Sequence, residues 1–379
     1  MAGLRFTPTT LTEAEQALRD EVRDFMAKEL PKNRRPGLGM DTEASPEFSR
    51  RLAARGWLGM TIPRQYGGHE RSAVERFVVI EELLAAGAPV AAHWVADRQI
   101  APAILAFGSE AQRRRFLPAI ARGDLCFSLG MSEPDAGSDL AAVKSRAVRT
   151  RGGWLLSGTK IWTSRAHESH FMVVLCRTGE PGSDRHDGLS QLIVDLSWPG
   201  VTVRPIPFLD GSHHFNEVAL SEVEVPDDMV LGETGAGWRQ VTSELTHERS
   251  GPDRYMSAWK LIETFIAEHP AEAEQAAVPI GILVGRYWAI HQMSLALARA
   301  MDTGASTSVQ AAMVKDLGTV FEQEVVRVMQ QVFGRDPFPG PGSSFESLLA
   351  QATLTAPAYT LRGGTTEILR TITARALAR

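Results

Sequence analysis

The sequence predicts an α+β protein of several domains, with helices first and last and strands between them. Three observations support this. Apolar residues recur at helical spacing from Thr12 to about Ala121 and again after "LGETGAGW". The chain between consists of short β-rich runs separated by Gly, Asp, Ser and Pro. Its 379 residues are also many for a single hydrophobic core.

The first helical region is predicted from segments such as "LTEAEQALRDEVRDFMAKEL". Thr10 precedes its first turn, and Glu13 and Glu15 lie inside that turn, where acidic side chains are favoured. "SPEFSRRLAARGWLGM" and "SAVERFVVIEELLAAG" repeat the helical period. We expect Gly56 and Gly87 to end their helices.

The middle region contains runs such as "HFMVVLCRT", "SQLIVDLSWPGVTVRPIPF" and "FNEVALSEVEVP". Gly152 and Gly153 stand between "SRAVRTR" and "WLLSG" and predict a hairpin. After this region the helical period returns and persists to Arg379. It is interrupted once, by the Pro/Gly-rich loop "FGRDPFPGPGSS".

Composition excludes several classes of function. The net charge is −5 and basic residues are interspersed with acidic ones, so nucleic acid is not an expected partner. No run approaches the roughly 18 apolar residues of a membrane span, and "MAGLRFTPTTLTEAEQ" lacks the apolar core of a signal peptide. We expect a soluble cytoplasmic protein without membrane contact.

The cysteines and histidines indicate neither a disulfide framework nor a metal site. Cys126 and Cys176 are too few for the first and are expected to be buried structural thiols. His213, His214 and His247 form no ligand set with a carboxylate at fixed spacing, so no metal is expected.

Two stretches carry candidate chemistry. "MSEPDAGSD" (131–139) is a loop of turn formers with backbone N–H groups and small hydroxyls, and by itself it is typical of a surface turn. "GTKIWTS" (158–164) places Trp162 among a lysine and two hydroxyls, where the ring is equally consistent with a core aromatic on a strand. Spaced about 25 residues apart across a hairpin, the two stretches are able to line one pocket.

Together with the α-β-α order, "HHFNEVALSEVEVPDDMVLGETGAGW" (213–238) and the terminal "GGTTEILR", these stretches resemble the acyl-CoA dehydrogenase family. The resemblance covers essentially the whole chain. It implies an N-terminal helical domain at 1–122, a middle antiparallel β-barrel or sandwich domain at 123–235, and a C-terminal four-helix bundle at 236–379. It also implies FAD-dependent oxidation of an acyl-CoA thioester to its α,β-enoyl form, with electrons passed to an electron-transfer flavoprotein.

The resemblance also implies roles for single residues. Met131, Ser132, Trp162 and Ser164 resemble the positions that hold the flavin ring by hydrogen bonds and aromatic packing. Ser138 resembles a site shared by the flavin phosphate and the pantetheine arm of CoA. Donors at the carbonyl edge of a flavin stabilise the negative charge that hydride transfer leaves there.

The dinucleotide part of FAD is assigned less completely. Thr365 and Glu367 resemble positions that meet it, and Gln331 and Gly334 in "QQVFGRD" belong to a patch that contacts FAD across subunits. Arg335 stands where a glycine is usual; it would crowd the cofactor or meet a phosphate. The segment 261–288 does not contain the motif of an Arg with a Phe-Gly pair that most members carry there.

The catalytic base is expected to be Glu248. Dehydrogenation needs a carboxylate to take the α proton, and many members carry it where this chain has Gly363. Other members carry it on the first helix after the β domain, where Glu248 stands. The alternative is a solvated Glu beside Arg249, and Glu244, one turn earlier, is the fallback base.

Two neighbours of Glu248 add expectations. Arg249 resembles a position that meets the pantetheine or flavin pyrophosphate region; alternatively it pairs with a nearby acid. Pro252 lacks an N–H, so a helix continuing through it would leave the Glu248 carbonyl without its usual partner and kink there. In the terminal loop, Gly363 is expected to leave volume for a bulky acyl group.

The absence of the Arg and Phe-Gly motif, which would bind the adenosine half of FAD, leaves two alternative assemblies. The first is an α₂β₂ heterotetramer with a related subunit, resembling actinobacterial enzymes of steroid degradation that act on CoA-linked side chains. The second is a homo-oligomer that binds FAD weakly. Two other functions remain open: an oxygen-using oxidase or monooxygenase on the same fold, and a non-catalytic partner subunit that completes another chain's FAD site.

Overall fold

The computed structural model describes residues 6–31, 34, 36–40, 42–180, 182, 184–337 and 343–378. The chain forms two compact units. The helical unit comprises Met1–Ala44, Arg71–Val90 and Thr246–Arg379, and the sheet unit comprises Ser45–Glu70 and Ala91–Leu245. The outermost residues of the predicted domain ranges, 1–5 and 379, lie outside the described residues.

The helices follow the predicted order. Their bounds are α1 Glu13–Glu29, α2 Pro46–Ala54, α3 Ala73–Ala85, α4 Ala91–Val95, α5 Ala101–Phe107, α6 Glu110–Ala121, α7 Gly237–Arg249, α8 Trp259–Glu268, α9 Pro270–Gln275, α10 Ala277–Met301, α11 Ser308–Phe333, α12 Ser344–Tyr359 and α13 Thr366–Leu377. The loop between α11 and α12 confirms the predicted interruption, although its residues 338–342 lie outside the described range.

Helix ends agree with local chemistry, with one correction. Gly56 and Gly87 follow the last turns of α2 and α3 with φ of +72° and +60°, as expected of left-handed stop residues. At the start of α1 the cap is Thr12 rather than Thr10. The Thr12 hydroxyl accepts a hydrogen bond from the Glu15 N–H at 3.3 Å, and the Glu15 carboxylate accepts one from the Thr12 N–H at 2.8 Å.

The middle region is one predominantly antiparallel sheet. Its strands are β1 Phe127–Gly130, β2 Arg146–Arg149, β3 Gly153–Ser164, β4 Phe171–Arg177, β5 Leu189–Asp195, β6 Val201–Ile206, β7 Phe215–Pro226 and β8 Val230–Leu231. Their order is β6-β7-β3-β2-β4-β5-β8, with β1 parallel to β4. Arg149 pairs with Trp154 across the Gly152-Gly153 turn, which confirms the predicted hairpin.

The sheet unit has a core formed by β4, β5 and helices α5 and α6. Phe116 of α6 packs edge-on to Phe127 and Phe171, which stack on each other. Cys176 is fully buried, and burial raises the pKa of its thiol to about 12; Cys126 is half-buried, with its pKa raised mainly by burial. Both thiols are free; the expected burial is confirmed for Cys176 and is wrong for Cys126, which is only half-buried.

In the helical unit, α11 packs against α8, α10, α12 and α13. Its buried face carries two ionisable side chains, Lys315 and Glu322, among apolar residues such as Val314 and Val325. No helix within the described residues has both the length and the apolar character needed to span a membrane. Those residues likewise contain no cluster of three or more His, Cys, Asp or Glu that would hold a metal ion.

Candidate active site

Glu248 lies one residue before the end of α7, and its side chain is 16% exposed. The chain does not continue as a kinked helix, so that expectation is wrong. It leaves α7 at Arg249 and forms a short 3-10 helix at Pro252–Arg254. Arg254 Nε donates to the Glu248 carbonyl at 2.8 Å, which replaces the bond that Pro252 is unable to make.

The same arginine holds the carboxylate. Arg254 is fully buried, and its Nη2 donates to Glu248 Oε1 at 3.0 Å. Arg254 Nε also lies 3.0 Å from Asp253 Oδ2. The Arg254 guanidinium therefore caps the C-terminal end of α7 and also orients the side chain of Glu248. The alternative of a solvated Glu248 is wrong, because its carboxylate makes this charge-assisted bond inside the helical unit. Nothing is described for the side chain of the neighbouring His247.

The backbone of Gly363 lies beside the side-chain carboxylate of Glu248. Gly363 has φ +67°, and a Cβ placed on it would lie 2.7 Å from Glu248 Oε1 and 3.4 Å from Lys315 Cε. The Glu248 carboxylate therefore occupies the volume that a side chain at position 363 would need. Accordingly, the expectation that Gly363 leaves empty volume for substrate is wrong.

Cationic side chains hold the turn around Gly363. Arg249 Nε donates to the Gly363 carbonyl at 3.0 Å, so this buried arginine binds the turn. Lys315 Nζ donates to the Gly364 carbonyl at 2.6 Å. Arg362 binds Ser257 Oγ, at 2.5 Å. Side-chain hydrogen bonds thus hold the turn at three successive residues, 362, 363 and 364.

The pKa values of Lys315 and Glu322, the two buried ionisable residues of α11, are both shifted. Burial, together with the positive charges of Arg254 and Arg362, lowers the pKa of Lys315 to about 7. Burial raises the pKa of Glu322, whose carboxylate accepts the Ser257 N–H at 2.7 Å. Sequence reasoning missed Lys315, Glu322 and Arg254. Lys315 and Glu322 are seven residues apart, a spacing that places both on the apolar face of α11.

Lys315 predicts a pH dependence of stability. An unfolded lysine keeps the ordinary pKa of 10.5, so between about pH 7 and pH 10.5 the unfolded chain binds more protons at this residue than the folded chain. Stability therefore rises with pH in this window, by at most about 1.4 kcal/mol per pH unit from this group. Below about pH 7 the penalty of the buried charge is constant.

Urea unfolding at several pH values tests this. The free energy of unfolding of the wild type, minus that of Lys315→Met, should increase as pH rises from 7 to 9, since other groups cancel in the difference. Lys260→Met is the control, because Lys260 forms only a partly exposed ion pair with Glu263. A difference that is flat with pH for Lys315→Met would contradict the assignment.

The fallback base is engaged elsewhere. Glu244 belongs to the sheet unit, where it is buried and accepts a hydrogen bond from Gln191 Nε2 of β5 at 2.9 Å. This contact with the sheet gives the Glu244 carboxylate a structural role. Glu248 is therefore the better candidate for proton transfer.

In the sheet unit, a buried ion pair fastens the loop 131–139 to β3. Lys160 is fully buried, and its Nζ donates to Glu133 Oε1 at 2.8 Å and to the Met131 carbonyl at 3.2 Å. The Ile161 N–H donates to the Ser132 carbonyl at 2.9 Å. The two stretches singled out in the sequence are thus brought together, although the pair that joins them was missed. The sequence feature that indicates this ion pair is a lysine, Lys160, between the strand residues of "GTKIWTS".

Trp162 is presented on the surface of the sheet unit. Its side chain is 53% exposed, its φ is +59°, and the ladder between β3 and β7 is irregular between Lys160 and Thr163. A bulky residue with positive φ is strained, and such strain concentrates at functional sites. The ring packs edge-on to Phe215 with centroids 5.8 Å apart. Of the two interpretations left open, a core aromatic is therefore wrong.

These features fit the ring of a flavin. Trp162 offers an exposed flat aromatic face near the end of β3. Ser164, two residues further along that strand, is half-buried, and so is Ser132, whose carbonyl accepts the Ile161 N–H. Ser138 is exposed in the loop that the Lys160 ion pair fastens. A flat apolar ligand with polar edges needs this combination of an aromatic surface with hydroxyl and backbone donors.

The residues predicted for the dinucleotide make local contacts in the helical unit. Thr365 caps α13, its hydroxyl accepting the Ile368 N–H at 3.4 Å, and Glu367 is exposed in the first turn. Gln331 is exposed near the end of α11 and accepts a hydrogen bond from Arg327 at 3.3 Å.

Arg335 has an intramolecular position. Its guanidinium lies 4.3 Å from the centroid of the Phe333 ring, and its Nη2 is 3.6 Å from Glu346 Oε1. These contacts account for the side chain without a phosphate.

The sequence matches three domain descriptions of one family in chain order. They are "Acyl-CoA dehydrogenase, N-terminal domain" over residues 12–124, "middle domain" over 128–223 and "C-terminal domain" over 254–378. The chain is 30% identical over 374 residues to "Acyl-CoA dehydrogenase FadE29" of Mycobacterium tuberculosis, an alignment that covers 95% of each. It is 41% identical over 216 residues to "Acyl-CoA dehydrogenase IpdE1" of the same species, covering 56% of each.

Solved structures agree with the sequence relatives. A chain of "Tcur3481-Tcur3483 steroid ACAD" superposes with a TM-score of 0.87 at 28% identity, over 98% of both chains. A chain of the "ChsE4-ChsE5 complex from Mycobacterium tuberculosis" superposes with a TM-score of 0.83 at 28% identity, over 98% of this chain and 99% of that one. The protein therefore belongs to the acyl-CoA dehydrogenase family of flavin-dependent oxidoreductases.

Proposed function

We propose that this protein dehydrogenates a bulky, branched or steroid side-chain acyl-CoA thioester to its α,β-enoyl form, in the cytoplasm, with Glu248 as the base. One observation carries this proposal: the Glu248 carboxylate lies where a side chain at position 363 would stand, with Oε1 2.7 Å from a Cβ placed there. Position 363 is where many members of the family carry their catalytic carboxylate. A different residue thus delivers the same chemical group to that place.

The chain's own residues account for the proton transfer. Arg254 binds Oε1 of Glu248, so we infer that Oε2 takes the α proton of the acyl group. The ion pair fixes the direction of the carboxylate before substrate arrives, which reduces the reorganisation needed during reaction. Arg254 is fully buried, so water does not compete for its side of the pair.

FAD, when bound, supplies the acceptor for the β hydride. Met131, Ser132, Trp162 and Ser164 would hold its ring, and Ser138, Gln331, Thr365 and Glu367 would contact the remainder of the dinucleotide. Lys160 supports the first group by fixing the carbonyl of Met131. An electron-transfer flavoprotein is the proposed next electron carrier.

The substrate class is supported by the relatives. The structural neighbour with a TM-score of 0.87 is named a "steroid ACAD", and its chain matches this one over 98% of its length. We propose that Ser138 and Arg249 bind the CoA arm and that the Gly363 turn borders the acyl group. Arg249 would do so while its Nε holds the Gly363 carbonyl.

We propose an α₂β₂ heterotetramer. The segment 261–288 does not contain the motif of an Arg with a Phe-Gly pair that is expected for the adenosine half of FAD. In addition, two structural neighbours are named for two different components. A homo-oligomer with weak FAD binding is the other assembly. Purification from the native host distinguishes them: a second, related chain at equal stoichiometry with one FAD per pair supports the heterotetramer.

A non-catalytic partner subunit is the second candidate function, because Gly363 is what a subunit without a base would show. The ordered Glu248–Arg254 pair favours catalysis, since a subunit with no base has no need to hold a carboxylate at that place. An oxygen-using oxidase or monooxygenase would differ in how fast its reduced flavin reacts with air.

Anaerobic reduction of the purified holoprotein tests the proposal. The probes are the CoA thioesters of cyclohexanecarboxylic acid and of a steroid side-chain acid, with hexanoyl-CoA for comparison. We expect one of the two bulky thioesters to bleach the flavin absorbance in a single turnover, followed by slow reoxidation in air. Absence of bleaching with every thioester would contradict dehydrogenation, and rapid reoxidation would indicate an oxidase.

A further inference from the structure

Lys315 is a buried lysine that the reaction described above does not use. It lies in the middle of α11, and no part of its side chain is exposed. Removing an ammonium group from water is unfavourable unless specific partners compensate for it. A lysine in such a place therefore indicates a specific task.

The ammonium group binds the backbone of the closing turn. Lys315 Nζ donates to the Gly364 carbonyl at 2.6 Å, and Arg249 Nε donates to the preceding carbonyl, that of Gly363, at 3.0 Å. The two donors come from different helices, α11 and α7. Because Gly363 and Gly364 have φ of +67° and +100° and no side chains, the turn depends on such bonds to keep its conformation.

The stem of Lys315 borders the same space as the base. A Cβ placed on Gly363 would lie 3.4 Å from Lys315 Cε and 2.7 Å from Glu248 Oε1. A change in the turn would consequently change the room available to the Glu248 carboxylate. Interiors are packed too densely for such a shift to be absorbed locally.

We propose that Lys315 is a positioning residue for Glu248: it fastens the Gly363–Gly364 turn from α11 and so keeps the carboxylate in place for proton transfer. This inference rests on the proposed role of Glu248. It assigns Lys315 no contact with substrate or cofactor.

The test compares Lys315→Met, which keeps an apolar stem as far as Cε and removes the donor, with Lys315→Gln, which keeps a polar group. Arg370→Met is the matched control, because Arg370 pairs with Asp316 next to Lys315 and ties α13 to α11 without touching the turn. Flavin content and thermal unfolding establish that each variant is folded. The functional readouts are kcat, KM and the rate at which deuterium from D₂O enters the α position of cyclohexanecarboxyl-CoA.

We expect Lys315→Met to lower kcat and the exchange rate by about 10- to 100-fold, the effect of a misplacement of about 1 Å, while KM and the flavin spectrum change little. Lys315→Gln should lose less, and it also provides the readout if Lys315→Met does not fold. Exchange in both folded lysine variants equal to that of Arg370→Met would overturn the inference. If Glu248→Gln itself leaves exchange unchanged, the proposed function fails instead.

Discussion

Glu248→Gln is expected to keep its flavin and to lose turnover by roughly 10²- to 10⁴-fold, the usual contribution of a positioned general base. The amide oxygen of glutamine still accepts a hydrogen bond from Arg254, which preserves the end of α7 and the packing around it. What the variant loses is the ability to take a proton. Steady-state turnover of a bulky acyl-CoA, normalised to bound flavin, measures the effect.

Two other glutamate variants are controls that show whether the loss of turnover is specific to Glu248. Glu263→Gln removes a partly exposed carboxylate that pairs with Lys260, and its turnover should match the wild type. Glu244→Gln removes the fallback base and is expected to act on stability through the Gln191 contact rather than on proton transfer. Normal turnover in Glu248→Gln together with a large loss in Glu244→Gln would transfer the assignment to Glu244.

Gly363→Ala is expected to reduce turnover by at least about tenfold, since misplacement of a catalytic group by about 1 Å costs up to 100-fold. The new Cβ would stand 2.7 Å from Glu248 Oε1, a distance at which the carboxylate must move. The left-handed backbone at this position adds about 1–2 kcal/mol of destabilisation for any residue with a side chain. Turnover and the free energy of unfolding are measured on the same preparation.

Gly304→Ala separates the two effects. Gly304 has φ +73°, close to that of Gly363, and a Cβ placed there meets nothing within 4 Å. It should therefore show a similar loss of stability and no loss of turnover. If Gly363→Ala is no less active than Gly304→Ala, the carboxylate does not depend on the space beside residue 363.

The features that the sequence predicted are those for which a short stretch of chain is sufficient evidence. The absence of a side chain at Gly363 and the presence of Glu248 were both visible in the sequence, and the family resemblance connected them. The Gly152-Gly153 hairpin was predicted because its turn and both strands are contiguous in the chain.

What the sequence did not predict depends on tertiary structure. The role of Arg254 requires α7 to end before Pro252, whereas the sequence was equally consistent with a kinked helix. Lys315 reaches the terminal turn from α11, about 49 residues away in sequence, which no local pattern encodes. The start of α1 was ambiguous too, because Thr10–Glu13 and Thr12–Glu15 both have capping-box spacing.

Trp162 illustrates the same limit in the sheet. Alternation along β3 does not tell whether an aromatic residue faces the core or the surface once the ladder becomes irregular, because one shifted residue exchanges the two faces. The irregularity between Lys160 and Thr163 decides this, and it arises from pairing with β7. Exposure of the ring follows from that distant pairing.

The most direct measurement of the central claim is hydrogen exchange at the α carbon of bound cyclohexanecarboxyl-CoA in D₂O, followed by mass spectrometry. It reports proton abstraction alone, independent of the electron acceptor. We predict that the wild-type holoprotein incorporates deuterium and that Glu248→Gln does so at least about 100-fold more slowly. Equal incorporation by the two proteins would show that Glu248 is not the base.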